Sequence, residues 1–286
     1  DAKPAIARES ATTAVIKGNW AFGQISAHFA TDVVIAKARE HDIAAVSIVE
    51  CNHIGRLGEY ATKIASEGMI GMVVTGGFSG EFAGVTPYGG AGRILGTNPF
   101  AFAVPAGTHD AFLSDFATSM VAEGKLRVAM AKGVSVVEGL LLDREGKPTT
   151  DPSAYFNGGM LLPFGGHKGY AFSLLADLLG SLLGGSEVLG TPPHTAGTFM
   201  MALRVDAFRP FAEFKAAVDK RFDQVKGAPP APGFEEVLIP GEPEARSKRR
   251  REKEGIPLAE DTWEKIVAAA HKYGVDVEQA LGRKEK

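Results

Sequence analysis

Gly90-Ala91-Gly92-Arg93-Ile94-Leu95-Gly96-Thr97-Asn98-Pro99 decides the fold class. Its spaced glycines imitate the dinucleotide-binding turn of a Rossmann domain. That turn works by presenting the N-terminus of a helix to a pyrophosphate. Here Asn98-Pro99 stands where such a helix has to continue, and the residue before a proline is driven out of the helical region. The stretch therefore reads as a glycine-rich irregular loop, and the chain as α/β with a mixed sheet flanked by helices, outside the Rossmann class.

On either side of this stretch, α/β alternation is legible. Ile25 to Glu40 has helical spacing and leads into a strand at Ala44–Val49 that ends in polar Glu50-Cys51-Asn52-His53. Gly58–Glu67 predicts a helix, Gly71–Thr75 a strand, and Gly76–Gly96 a glycine-rich loop. Phe100–Val104 and Ala111–Asp115 read as paired strands joined by a turn at Pro105. Thr118 or Ser119 is expected to cap a helix over Met120–Lys132. Asp143-Arg144-Glu145-Gly146 is a turn, and Pro163–Gly169 opens an apolar segment, Gly169–Gly185, read as a buried helix. Gly197–Val205 predicts a core strand, Ala207–Val225 an amphipathic helix and Val237–Ile239 a last strand. Charged helices follow around Arg246–Glu254 and Asp261–Tyr273. The division expected is an α/β cofactor-binding and catalytic core over 12–240 and a C-terminal helical segment over 241–286.

Composition narrows the function. The 286 residues are 45% apolar, enough for a substantial core, and 23% charged with a net charge of -3. No field of one sign points to nucleic acid or a membrane surface, so a small-molecule substrate is the expectation. The most apolar stretch is interrupted by Asp177 and glycines and is too short to span a bilayer. A single cysteine, Cys51, leaves no internal disulfide and fits a reducing, cytoplasmic setting. Cys51 and His53 offer only two ligands at a spacing foreign to zinc sites, so no metal is expected.

Three clusters carry chemistry. His53 sits where a strand ends, the place where α/β folds present side chains to ligands, and an imidazole there either shuttles a proton or is a loop histidine held by a hydrogen bond. Gly165-Gly166-His167-Lys168-Gly169 brings glycine amides, a cation and a helix start to one anion-sized spot, or is a loop with a solvated lysine. Asp115, ahead of Thr118-Ser119, can orient a histidine or a ribose, or cap a helix. Gly77-Phe78-Ser79-Gly80 lacks the second spacer of a nucleophile elbow, which argues against a serine hydrolase.

In order along the chain stand Phe22-Gly23-Gln24, Asn52–Tyr60, Leu95–Pro99, Asp115–Ser119, Pro148–Pro152, Leu162–Tyr170 and Ile239–Glu242. As an ordered set they resemble the type-2 malate/L-lactate dehydrogenase family, which includes ureidoglycolate and sulfolactate dehydrogenases and piperideine-2-carboxylate reductases. The resemblance implies a homodimer with its site near the subunit interface, NAD or NADP as cofactor, and a 2-hydroxy or 2-oxo acid substrate of malate or lactate type. It makes His53 the acid/base and assigns Asp115, Phe116, Ala117, His167, Lys168, Gly169, Gly241 and Glu242, with Thr75 and Gly76, to the cofactor. Members begin with a helical region carrying a Ser-His-Gly segment, which this sequence lacks, so the helical subdomain is expected to be missing its N-terminal part. Arg56 and Arg93 are then the local cations for a substrate carboxylate. The alternatives are a cyclic imine carboxylate reductase, or a catalytically silent truncated homologue that binds nucleotide. The choice between NAD and NADP turns on a cation near the ribose, with Lys168, Arg246 and the run Lys248-Arg249-Arg250-Arg251 available.

Overall fold

The structure, a computed structural model, describes residues 2–77, 83–186 and 196–282. The first unit, which ends at Glu242, is built on a seven-stranded sheet. Its strands are β1 (Ala5–Glu9), β2 (Thr13–Lys17), β3 (Ile43–Val49), β4 (Met69–Gly76), β5 (Phe100–Val104), β6 (Phe112–Phe116) and β10 (Gly197–Arg204). They lie in the order β1-β2-β3-β10-β4-β5-β6. Only β2 and β3 pair parallel; β10 enters between β3 and β4 and runs antiparallel to both. The sheet is therefore mixed and the fold is not a Rossmann fold, as the loop ending in Asn98-Pro99 requires. After that loop the chain goes directly into β5.

Strand pleating sends alternate residues to opposite faces, and each face has its own cover. Val73 of β4 joins a core with Val34 of α1 (Gly23–His41) and Ile64 of α2 (Leu57–Ser66). Its neighbour Val74 packs with Ala176 of α5 (His167–Gly180) on the other face. A smaller cluster of Val85, Leu95, Leu126, Leu141, Tyr155 and Leu161 sits around a three-stranded sheet of β7 (Leu141–Leu142), β8 (Pro148–Thr149) and β9 (Met160–Leu161). Asp143 makes the β7–β8 turn by accepting the N–H groups of Glu145 and Lys147. The short helix α4 (Ser153–Phe156) stands beside this sheet, and α6 (Phe211–Lys226) follows β10.

Several readings of the sequence are corrected. α3 runs Glu123–Ala131 rather than from Met120, because the expected caps are committed elsewhere: the Thr118 hydroxyl donates to the Thr97 carbonyl and that of Ser119 to Val121. Val237–Ile239 forms no strand; Pro240 has no N–H for a ladder, and its carbonyl alone takes the Leu113 N–H. α5 is not a buried helix. Its buried residues are the small Gly169, Ser173, Ala176 and Gly180, which let it lie close on the sheet, while Phe172, Leu174, Leu175 and Leu178 are turned outward. β1, β2 and the small sheet lie outside the elements expected. Residues 78–82, with most of the Gly77–Gly80 segment, fall outside the described residues.

The second unit begins at Pro243 and carries most of α7 (Glu242–Glu254), with α8 (Glu260–Lys272) and α9 (Val277–Ala280). Its long helices α7 and α8 hold no buried residue, among them the basic run Lys248-Arg249-Arg250-Arg251 on α7. Among the described residues no helix is long and apolar enough to cross a membrane.

Candidate active site

The C-terminal ends of β3 and β4 and the start of β10 form one rim of the sheet, since β10 runs opposite to both neighbours. In that rim the Thr75 and Thr198 hydroxyls meet at 3.1 Å, a pair set by register alone. The chain leaving β3 continues as the loop Cys51–Gly55, which carries His53.

That loop is fastened from four sides. Asn52 Nδ2 donates to the carbonyls of Trp20 and Ala21, 2.9 Å each. Gly23, the first residue of α1, lies so close that a Cβ there would fall 2.2 Å from the His53 carbonyl oxygen. The Tyr60 hydroxyl donates to the Ile54 carbonyl. Burial first, then the nearby Cys51 and Glu59, push the Tyr60 phenol up to about 12, so it remains a donor at neutral pH. Arg56 at the N-cap of α2 has no side-chain acceptor, and Asp115 supplies the cap from β6 by accepting the Gly58 N–H at 2.8 Å.

The His53 ring is exposed, and its Nδ1 accepts the Gly55 N–H at 3.1 Å. A neutral ring held that way carries its proton on Nε2, which leaves an N–H to donate. Cys51 beside it is buried. Desolvation pushes its thiol up to about 11, against a smaller opposite effect of Ser26, so it packs rather than reacts.

His53 opens onto a cavity of about 790 Å³ shared with Thr75, Thr97, Thr198, Arg93, Glu123, Arg127, Tyr155 and Phe156. Of the residues singled out in the sequence, His53, Thr75 and Arg93 are brought together here. Arg56 is not among the described lining residues; its Nε lies 3.5 Å from Asp115. Phe116 stacks on Phe100 at 6.3 Å and meets Phe164 edge-on at 5.7 Å, with Ala117 following it, half-buried. Gly76 lies against the Ala176 carbonyl of α5, and the Gly77 N–H donates to Asp177 at 2.6 Å. Burial raises the Asp177 carboxyl above its ordinary value, against the hydrogen bonds from Gly77 and Asn98.

His167, Lys168 and Gly169 form the first turn of α5, after Gly165 and Gly166 at φ 56° and 64°. Both side chains are exposed, and His167 meets Tyr88 edge-on at 6.0 Å, on the same loop as Arg93. Gly241, at φ 101°, lies against Leu113 of β6. Glu242 accepts Lys226 Nζ at 2.7 and 2.8 Å and the Ile239 N–H. Glu123, Arg127, Tyr155 and Thr198 had no signal in the sequence, because they come from separate segments that only the fold joins. No group of three or more His, Cys, Asp or Glu able to hold a metal occurs among the described residues.

A family model described as malate/L-lactate dehydrogenase matches residues 1–267. The L-sulfolactate dehydrogenase of Methanothermobacter thermautotrophicus is 40% identical over 281 residues, 96% of this chain and 79% of that protein. The Delta(1)-pyrroline-2-carboxylate/Delta(1)-piperideine-2-carboxylate reductase of Pseudomonas putida is 39% identical over 166 residues, 58% of this chain and 48% of its own length. The crystal structure of malate dehydrogenase from Entamoeba histolytica superposes with a TM-score of 0.89 at 28% identity, covering 96% of this chain and 81% of that one.

Proposed function

We propose, because this chain belongs to the malate/L-lactate dehydrogenase family, that it is an NAD(P)-dependent oxidoreductase interconverting a small 2-hydroxy acid and its 2-oxo acid. The observation that carries the reading is a histidine, oriented by the Gly55 N–H at Nδ1, on the wall of a cavity that also holds Arg93 and the hydroxyls of Thr75 and Thr198. About 790 Å³ is room for a nicotinamide ring together with an acid of three or four carbons. The first turn of α5, with amides presented after two glycines and Lys168 alongside, suits a phosphate group; Asp115, Phe116, Ala117, Thr75, Gly76, Gly241 and Glu242 remain assigned to the cofactor by resemblance.

When bound, the nicotinamide supplies or receives the hydride at substrate C2. His53 handles the accompanying proton. In reduction the protonated ring gives its Nε2 proton to the C2 oxygen as the carbonyl becomes a hydroxyl and is left neutral with a proton on Nδ1, and in oxidation the Nε2 lone pair takes the proton back. The Gly55 N–H at Nδ1 sets the orientation of the ring in the free protein, a contact that gives way when Nδ1 carries its proton. Arg93, on the same cavity, offers a planar cation to a carboxylate. Cyclic imine carboxylates form a second substrate class, favoured by the 39% identity to the pyrroline- and piperideine-2-carboxylate reductase.

The test is oxidation of NADH and of NADPH, followed by absorbance, against pyruvate, oxaloacetate, sulfopyruvate and piperideine-2-carboxylate. Turnover of at least one acid is expected; none, together with no cofactor binding, refutes the reading. Nucleotide binding without turnover would leave the silent-homologue reading. His53→Ala is expected to lower kcat/KM by about a hundredfold or more while cofactor affinity stays within about threefold.

A homodimer belongs to the same proposal. Phe172, Leu175 and Leu178 continue into Leu182 as one outward apolar stripe, each 40% exposed or more, more than a lone surface is expected to leave bare. Leu178→Asp should shift the sedimentation equilibrium toward monomer, and an unchanged equilibrium would remove α5 from the interface. The buried, unreactive Cys51 also fits a cytoplasmic setting.

A further inference from the structure

The charges on the cavity wall do not balance. Among the described lining residues the charged side chains are Glu123, Arg93 and Arg127. Glu123 Oε1 accepts Arg127 Nε at 3.1 Å and Nη2 at 2.6 Å, and its Oε2 takes the Tyr155 hydroxyl at 3.2 Å. That carboxylate is fully engaged, and the Glu123–Arg127 pair neutralises itself. Arg93 has no carboxylate within ion-pair distance among the described residues.

Arg93 is nonetheless held in place. Its guanidinium lies 4.4 Å from the centroid of the Tyr155 ring, and Nη2 donates to the Tyr155 carbonyl at 3.0 Å. Its Nε is buried with no acceptor. A half-exposed cation held by a ring and a carbonyl, with no carboxylate beside it among the described residues, is already oriented to take an anion on its outer guanidinium nitrogens. The fold also separates it from the chemistry. His53, Thr75 and Thr198 sit on the rim of the large sheet, whereas Arg93 and Tyr155 belong to the wall built around the small one. The reacting end of the substrate, C1 with C2, belongs beside His53, on the rim of the large sheet. A separate cation suits a group that only some 2-oxo acids carry.

We propose that Arg93 selects substrates bearing a second anionic group beyond C2, a distal carboxylate or sulfonate, over those ending in a plain alkyl group. The proposal rests on reading this cavity as the substrate site. The two hydroxy acids, malate and sulfolactate, share the required chemistry and differ only in which anion they present; lactate lacks it.

The experiment is calorimetric binding of malate, sulfolactate and lactate to the full chain, with and without NADH or NADPH, for wild type and R93Q. Wild type should bind malate or sulfolactate about 10- to 100-fold more tightly than lactate, the range of one charge-assisted contact. R93Q should bring the three within about threefold. Equal wild-type affinities, or a preference that survives in R93Q, would overturn the proposal; an equal loss for all three acids would place Arg93 on the C1 carboxylate and overturn it as well. Should R93Q not fold, phenylglyoxal labelling of wild type decides: malate or sulfolactate must protect Arg93 and lactate at equal occupancy must not. A dianion preference without turnover would sink the redox reading and leave this one standing. Turnover without the preference would do the reverse.

Discussion

Replacing Gly23 with alanine is expected to separate helix stability from catalysis. Gly23 is the first residue of α1, and in an isolated helix alanine there would be favoured by about 1 kcal/mol. In the folded chain the added Cβ would sit 2.2 Å from the His53 carbonyl oxygen, 2.3 Å from that of Asn52 and 2.5 Å from the His53 carbonyl carbon. All three are backbone atoms, so no rotamer change relieves the overlap, and something must move by about 1 Å. α1 is anchored by the fully buried Ala27, Ala30 and Val34, while in the loop opposite the two residues met by the new methyl group, Asn52 and His53, have exposed side chains. The loop yields, and His53 moves with it. Misplacement on that scale costs about a hundredfold in rate, and overpacking costs about 1–3 kcal/mol in stability, more than the helix gains. Three readings on Gly23→Ala check this: kcat/KM for the preferred 2-oxo acid, cofactor affinity by fluorescence titration, and the melting temperature. Catalysis should fall while cofactor affinity holds and the melting temperature drops by several degrees. A variant with kcat/KM within about threefold of wild type and a raised melting temperature would refute the reasoning, because the loop would then have absorbed the methyl group without displacing the imidazole.

Other outcomes follow from single groups. With its thiol pushed up to about 11 by burial, Cys51 is thiolate in only about one molecule per thousand at pH 8, so iodoacetamide should leave activity unchanged over hours; rapid inactivation would contradict this. Asp219, whatever desolvation adds, is held at about 2 by the N–H groups of Gly107, Thr108 and His109 and the Thr108 hydroxyl. A folded-state value below the ordinary 3.8 contributes stability above that pH and loses it as pH falls through about 2. Asp219→Asn should therefore melt below wild type at neutral pH, by about 1 kcal/mol after solvent screening, with the gap closing between about pH 4 and pH 2. A gap independent of pH would show that packing, not charge, is what the substitution removes.

What the sequence made legible was whatever local pattern encodes, and what it hid was whatever register or distant partners decide. α1, α2, β3, β4, β5 and β6 stand within a few residues of where apolar spacing put them, because each buries a face whose period is its own. β1 has no such period: its five residues are all exposed, and it exists by backbone pairing with β2. Thr75 and Thr198 lie 123 positions apart and meet only because β10 inserts beside β4 in one register. The two candidate cations show the same division. Arg56 and Arg93 are equivalent as letters beside glycines, yet Arg56 is drawn toward Asp115 at the start of α2, while Arg93 is stacked on Tyr155 in the cavity. The deciding residue is Asp115. α2 begins at an arginine that cannot accept a hydrogen bond, so its first amides need an acceptor from elsewhere in the fold, and the strand that supplies it also fixes which arginine stays near the helix. A helix start without Ser, Thr, Asp or Asn at its cap is visible in the order of residues alone, and so is its consequence, that the first amides take their acceptors from water or from elsewhere in the fold; that for α2 the acceptor is Asp115 is decided only by the packing of β6 against it.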